Sequence, residues 1–201
     1  WRVPRLVRLF ISRLRLKTCG EESFPDSKPF CYAVCTAGDS IGKTIDTLNK
    51  CLQANHQLLA MGISQPDSAY SLIMPESYVG LPFMDVDPSE KEKRKKEKAA
   101  QQLKAICEDL RDRKTGISHL MEGPLPWFFT HIVGGFFEHV LITDKRFHVV
   151  EERCVKCGIC ANVCPVGDIS GGKGKKPVWL HHDDCLTCFS CYHHCPHHAI
   201  E

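Results

Sequence analysis

Cys154-Val155-Lys156-Cys157-Gly158-Ile159-Cys160-Ala161-Asn162-Val163-Cys164-Pro165 and Cys185-Leu186-Thr187-Cys188-Phe189-Ser190-Cys191-Tyr192-His193-His194-Cys195-Pro196 decide how the last part of this 201-residue chain folds. Both read C-x2-C-x2-C-x3-C-P, and every cysteine of the second stretch stands 31 positions after its counterpart in the first. Thiols this dense along the chain are too close for unstrained disulfides among neighbours. They suit a metal instead. Cysteines at two-residue intervals can wrap a compact inorganic core corner by corner, with the intervening backbone N–H groups turned inward. Four thiolates per core is what a [4Fe–4S] cluster asks for. The doubled spacing predicts a repeated half-domain with one cluster per half.

The prolines set the expected connectivity. Pro165 and Pro196 fix φ and start a short helix leading away, which carries the fourth cysteine off the cluster held by its own run. The spacing matches the bacterial ferredoxin run, in which the fourth ligand serves the other cluster. The expected ligand sets are Cys154, Cys157, Cys160 with Cys195, and Cys185, Cys188, Cys191 with Cys164. Each half then depends on its neighbour. The rival from another class is a structural zinc-binding module, for which His181, His182, His193, His194, His197 and His198 offer further ligands. Zinc sites are built from paired C-x2-C knuckles, in which the third cysteine and the C-x3-C-P ending have no part. The histidines read as surface residues around the second cluster, one or two of them placed to tune its potential through hydrogen bonds to sulfur. Gly158-Ile159 against Phe189-Ser190 makes the two halves unequal, so their potentials should differ.

Composition bounds the rest. The net charge is +2, and Lys91–Lys98 mixes Lys with Glu as a solvated helix face does, so nucleic acid is not an expected partner. Free thiolates must meet iron and sulfide before they oxidise, which points to a reducing, cytoplasmic and anaerobic setting. The most apolar stretch, Pro124 to Ile142, is interrupted by Pro126, Thr130, His131, Glu138 and His139. It falls short of the roughly 20 apolar residues of a transmembrane span; Trp127, Phe128, Phe129, Phe136 and Phe137 read as a docking surface between domains. The first twenty residues carry Arg2, Arg5, Arg8, Arg13, Arg15 and Lys17 and no acid, as transit peptides do. Val3, Leu6, Val7, Phe10 and Leu14 recur at helical spacing, however, and predict a basic amphipathic surface helix. The start at Trp1 in place of Met reads as a fragment or a processed product. Cys19, Cys31, Cys35, Cys51 and Cys107 are scattered and read as plain thiols.

Upstream of the cysteine runs the pattern alternates. Phe30 to Cys35 is a short apolar run suited to a strand buried on both faces. The polar loop Thr36–Gly42 follows, then a helix with Ile41, Ile45, Leu48 and Leu52 along one stripe. Leu58 to Ile63 reads as a second strand, and Ser64 to Pro88 as an extended excursion. Ser89 is placed to cap a helix reaching about Arg113, with Leu103, Ile106, Cys107 and Leu110 inward. This order points to a parallel α/β sheet with ligands at the strand C-termini. The expected divisions are 1–113, an apolar linker over 114–143, and the cluster domain over 144–201.

The whole chain resembles the ferrodoxin family, in which a flavodoxin-like domain is fused to a bacterial two-cluster ferredoxin. The cysteine pair carries the resemblance, with weaker support from Trp1-Arg2-Val3-Pro4, the Thr36–Gly42 loop and Met74-Pro75-Glu76-Ser77-Tyr78. It implies an α/β flavodoxin-like partial domain whose parallel sheet lacks three strands, followed by a small α+β ferredoxin domain. It also implies FMN in the full-length parent, with Trp1 stacking on the flavin and Thr36, Ala37, Gly38, Asp39 and Gly42 as donors. The phosphate-binding loop is missing from this stretch, which leaves FMN binding by it in doubt. The function expected is electron transfer through two [4Fe–4S] clusters to redox partner proteins, a carrier more than a substrate-specific enzyme. The enzyme-class alternative is a flavin-dependent reductase with the clusters as internal relay. Lys173, Lys175 and Lys176 are candidates for docking an acidic partner, set against the simpler reading of a solvated loop.

Overall fold

The computed structural model describes residues 2–16, 29–76, 78–80, 85–182 and 184–201. They fall into two compact units, Trp1–Ser77 with Val86–Gly135, and Tyr78–Asp85 with Phe136–Glu201.

The first unit is built on a three-stranded parallel sheet in the order β1 (Tyr32–Ala37), β2 (Ser68–Ile73), β3 (Ile117–His119). Helix α1 (Arg5–Arg13) forms where the basic amphipathic pattern predicts it and buries Ile11. Ile11 packs with Leu52 of α2 (Thr44–Ala54), Leu58 of α3 (His56–Ala60) and Ile63. The strand expected at Leu58–Ile63 is therefore a helix and the turn after it. Six apolar residues fit either state, and Asn55 decides between them. Its side chain accepts hydrogen bonds from Gln57 N and Leu58 N, 3.1 and 3.2 Å away, which caps α3. The same side chain donates to the Ile11 and Leu14 carbonyls at 2.7 and 3.1 Å, tying α1 to α3.

The second strand lies instead inside the stretch read as an excursion. Ser68 and Ser71 disguise it, yet both sit in the sheet centre with their hydroxyls satisfied. Ser68 Oγ donates to Lys114 O, and Ser71 Oγ accepts from Met121 N at 2.7 Å. β3 likewise arises within the stretch read as a linker. Helix α4 (Ser89–Arg111) covers β2, packing Ala99 and Ile106 on Tyr70 and Leu72. Its inner stripe is rotated from expectation: Leu103 and Cys107 are exposed, while Ala99 and Ile106 are buried. Ser89 makes no capping bond; Pro88 stands at the cap position. The entry to α4 is held by Asp87, whose carboxylate accepts from Lys91 at 2.7 Å, Lys95 at 2.6 Å and Glu76 N at 2.9 Å. These hydrogen bonds, Lys91 and Lys95 foremost, hold its pKa well below the usual carboxylate range.

From Pro126 to Leu141 the chain is helical but irregular. The α turns α5 (Pro126–Phe128) and α6 (Gly134–Phe136) alternate with π turns over Phe129–Val133 and Phe137–Leu141. Among the described residues no helix is long and apolar enough to cross a membrane.

The second unit is small. Helices α7 (Ile159–Asn162) and α8 (Ser190–His193) flank the antiparallel hairpin β4 (Ile169–Gly172) and β5 (Lys175–Trp179). Val149 pairs with Ile200 in an antiparallel bridge, extended by Val150 N to Ala199 O at 2.9 Å and Glu201 N to His148 O at 3.0 Å. Two cysteines belong to its core: Cys160 and Cys191 are buried among Ile169, Trp179 and Ile200.

Candidate metal centres

The cysteine runs fold alike. α7 and α8 begin and end 31 residues apart, and so do the left-handed backbone positions Lys156 and Thr187, Gly158 and Phe189, Gly167 and His198. In both runs the first and fourth cysteines are half-buried, the second is exposed and the third is buried. Backbone donors point at sulfur at matching places: Asp168 N lies 3.3 Å from Cys164 Sγ, and Ala199 N lies 3.2 Å from Cys195 Sγ. Thr187 N adds a third such contact to Cys185 Sγ at 3.4 Å.

The thiols gather in two places. Cys154, Cys157 and Cys160 wall one cavity together with Cys195. Cys185, Cys188 and Cys191 wall another together with Cys164. Each cavity thus takes three cysteines from one run and the fourth from the other. Four sulfur donors, backbone N–H groups aimed at sulfur and an apolar floor fit a cubane cluster. Burial pushes the Cys191 thiol up to about 12, and also raises Cys160 and Cys185. A thiolate at these positions is thereby favoured only beside a positive centre. Among the described residues no three His, Cys, Asp or Glu side chains converge closely enough to hold a single ion.

The surroundings of the two cavities differ. Arg153 and Lys156 line the first, with no carboxylate among its walls. Asp168 lines the second, which has no Lys or Arg. Burial and the neighbouring Asp144 raise the pKa of Asp168. Burial also works upward on Asp144, but the hydrogen bonds from His181 and Asp168 outweigh it and leave Asp144 lowered. His181 donates to Asp144 Oδ2 from its backbone N at 3.0 Å, and its Nδ1 lies 2.8 Å from the same oxygen. Around Phe189 sits an aromatic cluster, with Phe147 and Tyr78 each 5.3 Å away and Tyr192 at 6.1 Å. Phe147 in turn stacks on Trp179 at 5.9 Å. The sequence reading missed Phe147, Asp144 and Asp168. Asp168 carried a usable signal, since it stands four residues after a ligand-type cysteine, where the other half has Ala199.

The residues proposed for flavin contact are placed less openly. Thr36 and Ala37 end β1, and Gly38, Asp39 and Gly42 form the loop at its C-terminal end. The Glu76 carboxyl lies where a Cβ on Gly38 would go. Lys95 donates to Gly38 O at 2.6 Å and to Asp39 at 3.3 Å, and Ile41 N is spent on Met121 O at 2.9 Å. Trp1 and Cys19 lie outside the described residues.

Comparison with known proteins agrees with the second unit. Residues 149–200 match the family model for a 4Fe-4S dicluster domain. A 53-residue stretch is 34% identical to an "uncharacterized protein in rpl9-rpl11 intergenic region" of Porphyra purpurea, covering 24% of this chain and 71% of that protein. Another of 28 residues is 54% identical to a ferredoxin of Megasphaera elsdenii, covering 14% of this chain and 52%, about half, of the ferredoxin. Iron–sulfur electron transfer is the activity these matches support. Through residues 149–200 the chain belongs to the 4Fe-4S dicluster domain family, as a small unit of the ferredoxin type.

Proposed function

We propose that this chain relays single electrons between redox partner proteins through two [4Fe–4S] clusters. Cys154, Cys157, Cys160 and Cys195 hold one; Cys185, Cys188, Cys191 and Cys164 hold the other. The observation that carries this reading is the borrowing of one cysteine across the two thiol-walled cavities. When bound, such clusters supply the one-electron chemistry. The chain's own residues ligate, aim N–H groups at sulfur and keep water from the inner thiols through Ile169, Trp179 and Ile200. A structural zinc module would leave the third cysteine and the C-x3-C-P ending of each run without a part. Anaerobic reconstitution should give about eight iron and eight acid-labile sulfide per chain. Zinc without sulfide would overturn the reading.

A flavin in a longer parent chain is the second reading, favoured by one observation. The sheet is parallel, and Thr36–Gly42 stands at the C-terminal end of β1, where open α/β sheets receive ligands. Purification of the parent with bound FMN, and loss of that flavin on replacing Gly38 with a bulkier residue, is the expected result. Reduction of a small organic acceptor only when FMN is present would make the parent a reductase.

A further inference from the structure

We infer that the face around Cys157 is the docking port for an acidic one-electron partner protein; this rests on the electron-transfer reading above. Cys157 is the exposed thiol of the first cavity. Beside it Val155 is 58% exposed, an apolar centre of the kind that docking faces use. The rim is basic. Lys156 leads into the cysteine turn, and its carbonyl accepts from Gly174 N at 2.8 Å, which fastens the β4–β5 hairpin to that turn. The Gly172–Lys173 backbone comes so close to Gly158 that a Cβ there would stand 2.8 Å from Gly172 C. The hairpin that carries Lys173 and Lys175 is thereby held against the turn that carries Cys157.

The ion pairs refine which lysines matter. Lys176 is paired with Glu151, and Arg153 with Glu201, so these charges are locally balanced. Lys156, Lys173 and Lys175 are exposed and form no salt bridge among the described residues, although Lys156 acts on Glu151 at longer range. Glu152 is the one further carboxylate in the 151–157 segment. The rim therefore keeps an excess of positive charge. The second cavity offers the opposite surroundings: Asp168 in its wall, Asp184 where the first half has Arg153, and an aromatic cover over Phe189. Both cavities expose their second cysteine, Cys157 and Cys188, so it is charge that favours the first. An acidic surface is steered to Cys157 and seats on Val155. One electron then passes between the cluster held there and the partner's one-electron centre, one oxidised as the other is reduced, with no proton or atom transferred.

The test uses the full chain after cluster loading, with iron and sulfide counted first. A protein that takes up no clusters fails the electron-transfer reading itself. With clusters present, the second-order rate of electron exchange with an acidic flavodoxin should fall steeply as salt is added. Lys156→Glu, Lys173→Glu and Lys175→Glu together should lower that rate about tenfold at low salt, with the difference vanishing near 1 M. Exchange with basic cytochrome c should rise in the same variant. Carbodiimide cross-links from flavodoxin carboxylates should map to Lys156, Lys173 or Lys175. Reversal of Lys93, Lys98 and Lys104 on α4 is the control for net charge and should change little. If the triple variant loads poorly, the hairpin pair Lys173→Glu and Lys175→Glu gives the same reading at a smaller effect. A rate indifferent to salt, equal loss in the control, or cross-links elsewhere would overturn the port while leaving the relay intact.

Discussion

The two halves of the cluster unit share a backbone and disagree in nearly every side chain around it. Arg153, Lys156 and Gly158 of the first stand where the second has Asp184, Thr187 and Phe189. Ala199 on the first cavity stands where Asp168 serves the second. Cysteine positions and left-handed turns are dictated by what must be ligated, so they repeat. The residues between them face solvent or neighbouring side chains and are free to diverge. The two cavities differ in this way: Arg153 and Lys156 line one, Asp168 and the rings of Phe147 and Phe189 line the other, and each exposes its second cysteine.

The largest effect should come from breaking the crossing. Replacing Cys195 with Ser should cost about half the bound iron. The loss should fall on the cluster of Cys154, Cys157 and Cys160, although Cys195 sits in the other run. Electron paramagnetic resonance of partly reduced protein, compared with the Cys164→Ser mirror variant, assigns the survivor. Loss confined to the second run would refute the crossed ligand sets.

Exchanging the turn residues sharpens the same contrast. Gly158→Phe meets both a left-handed φ of 81° and the Gly172 backbone, and should destabilise the unit by about 3 kcal/mol or more. Phe189→Gly keeps the backbone content and loses the ring contacts, for about 1–2 kcal/mol. Chemical denaturation of the loaded protein would rank the two. Equal costs would mean the halves differ less than their side chains imply.

A milder change tests the polarity. Asp184→Arg should raise the potential of the second cluster by on the order of tens of millivolts and leave the first nearly unmoved. A spectroscopic redox titration reads this directly, and a shift of the first cluster instead would reverse the assignment of surroundings.

The smallest effect belongs to the first unit and serves as contrast to the metal-dependent one. The depressed Asp87 carboxyl contributes stability that is fully present above its unfolded value of about 3.9. That stability is lost as pH falls from there through the lowered folded value. Asp87→Asn should lower thermal stability at neutral pH and flatten the acid limb of the stability curve. An unchanged acid limb would show that the Lys91 and Lys95 contacts contribute nothing.

Legibility in the sequence followed the locality of the physics. The eight candidate ligands stand in short runs at fixed spacing, so the two sets of four cysteines that wall the cavities could be grouped from that spacing and the two prolines. Writing the two runs one above the other also exposes the Arg153–Asp184 and Gly158–Phe189 contrasts. The sheet was harder. Leu58–Ile63 fits a strand by composition, and only Asn55, one polar residue with four hydrogen bonds, turns it into a capped helix. β2 was hidden because Ser68 and Ser71 look like loop residues until their distant partners, Lys114 and Met121, are in place. β3, three residues long, has almost no pattern of its own. Long-range satisfaction of polar groups is invisible in a window of neighbours.

The pairing of Val149 with Ile200 has a further consequence. It sets Val149 beside Ile200, so the segment between them, which holds all eight cysteines of the two runs, closes on a short antiparallel stem within the larger unit. A short linker could join Glu201 to His148, and new ends could be opened at Gly174 in the hairpin, at the expense of the Phe147 ring and the Asp144 carboxylate but without parting a thiol from its cavity. Such a permuted chain would be a portable electron connector, insertable into the surface turn of another protein by the same stem.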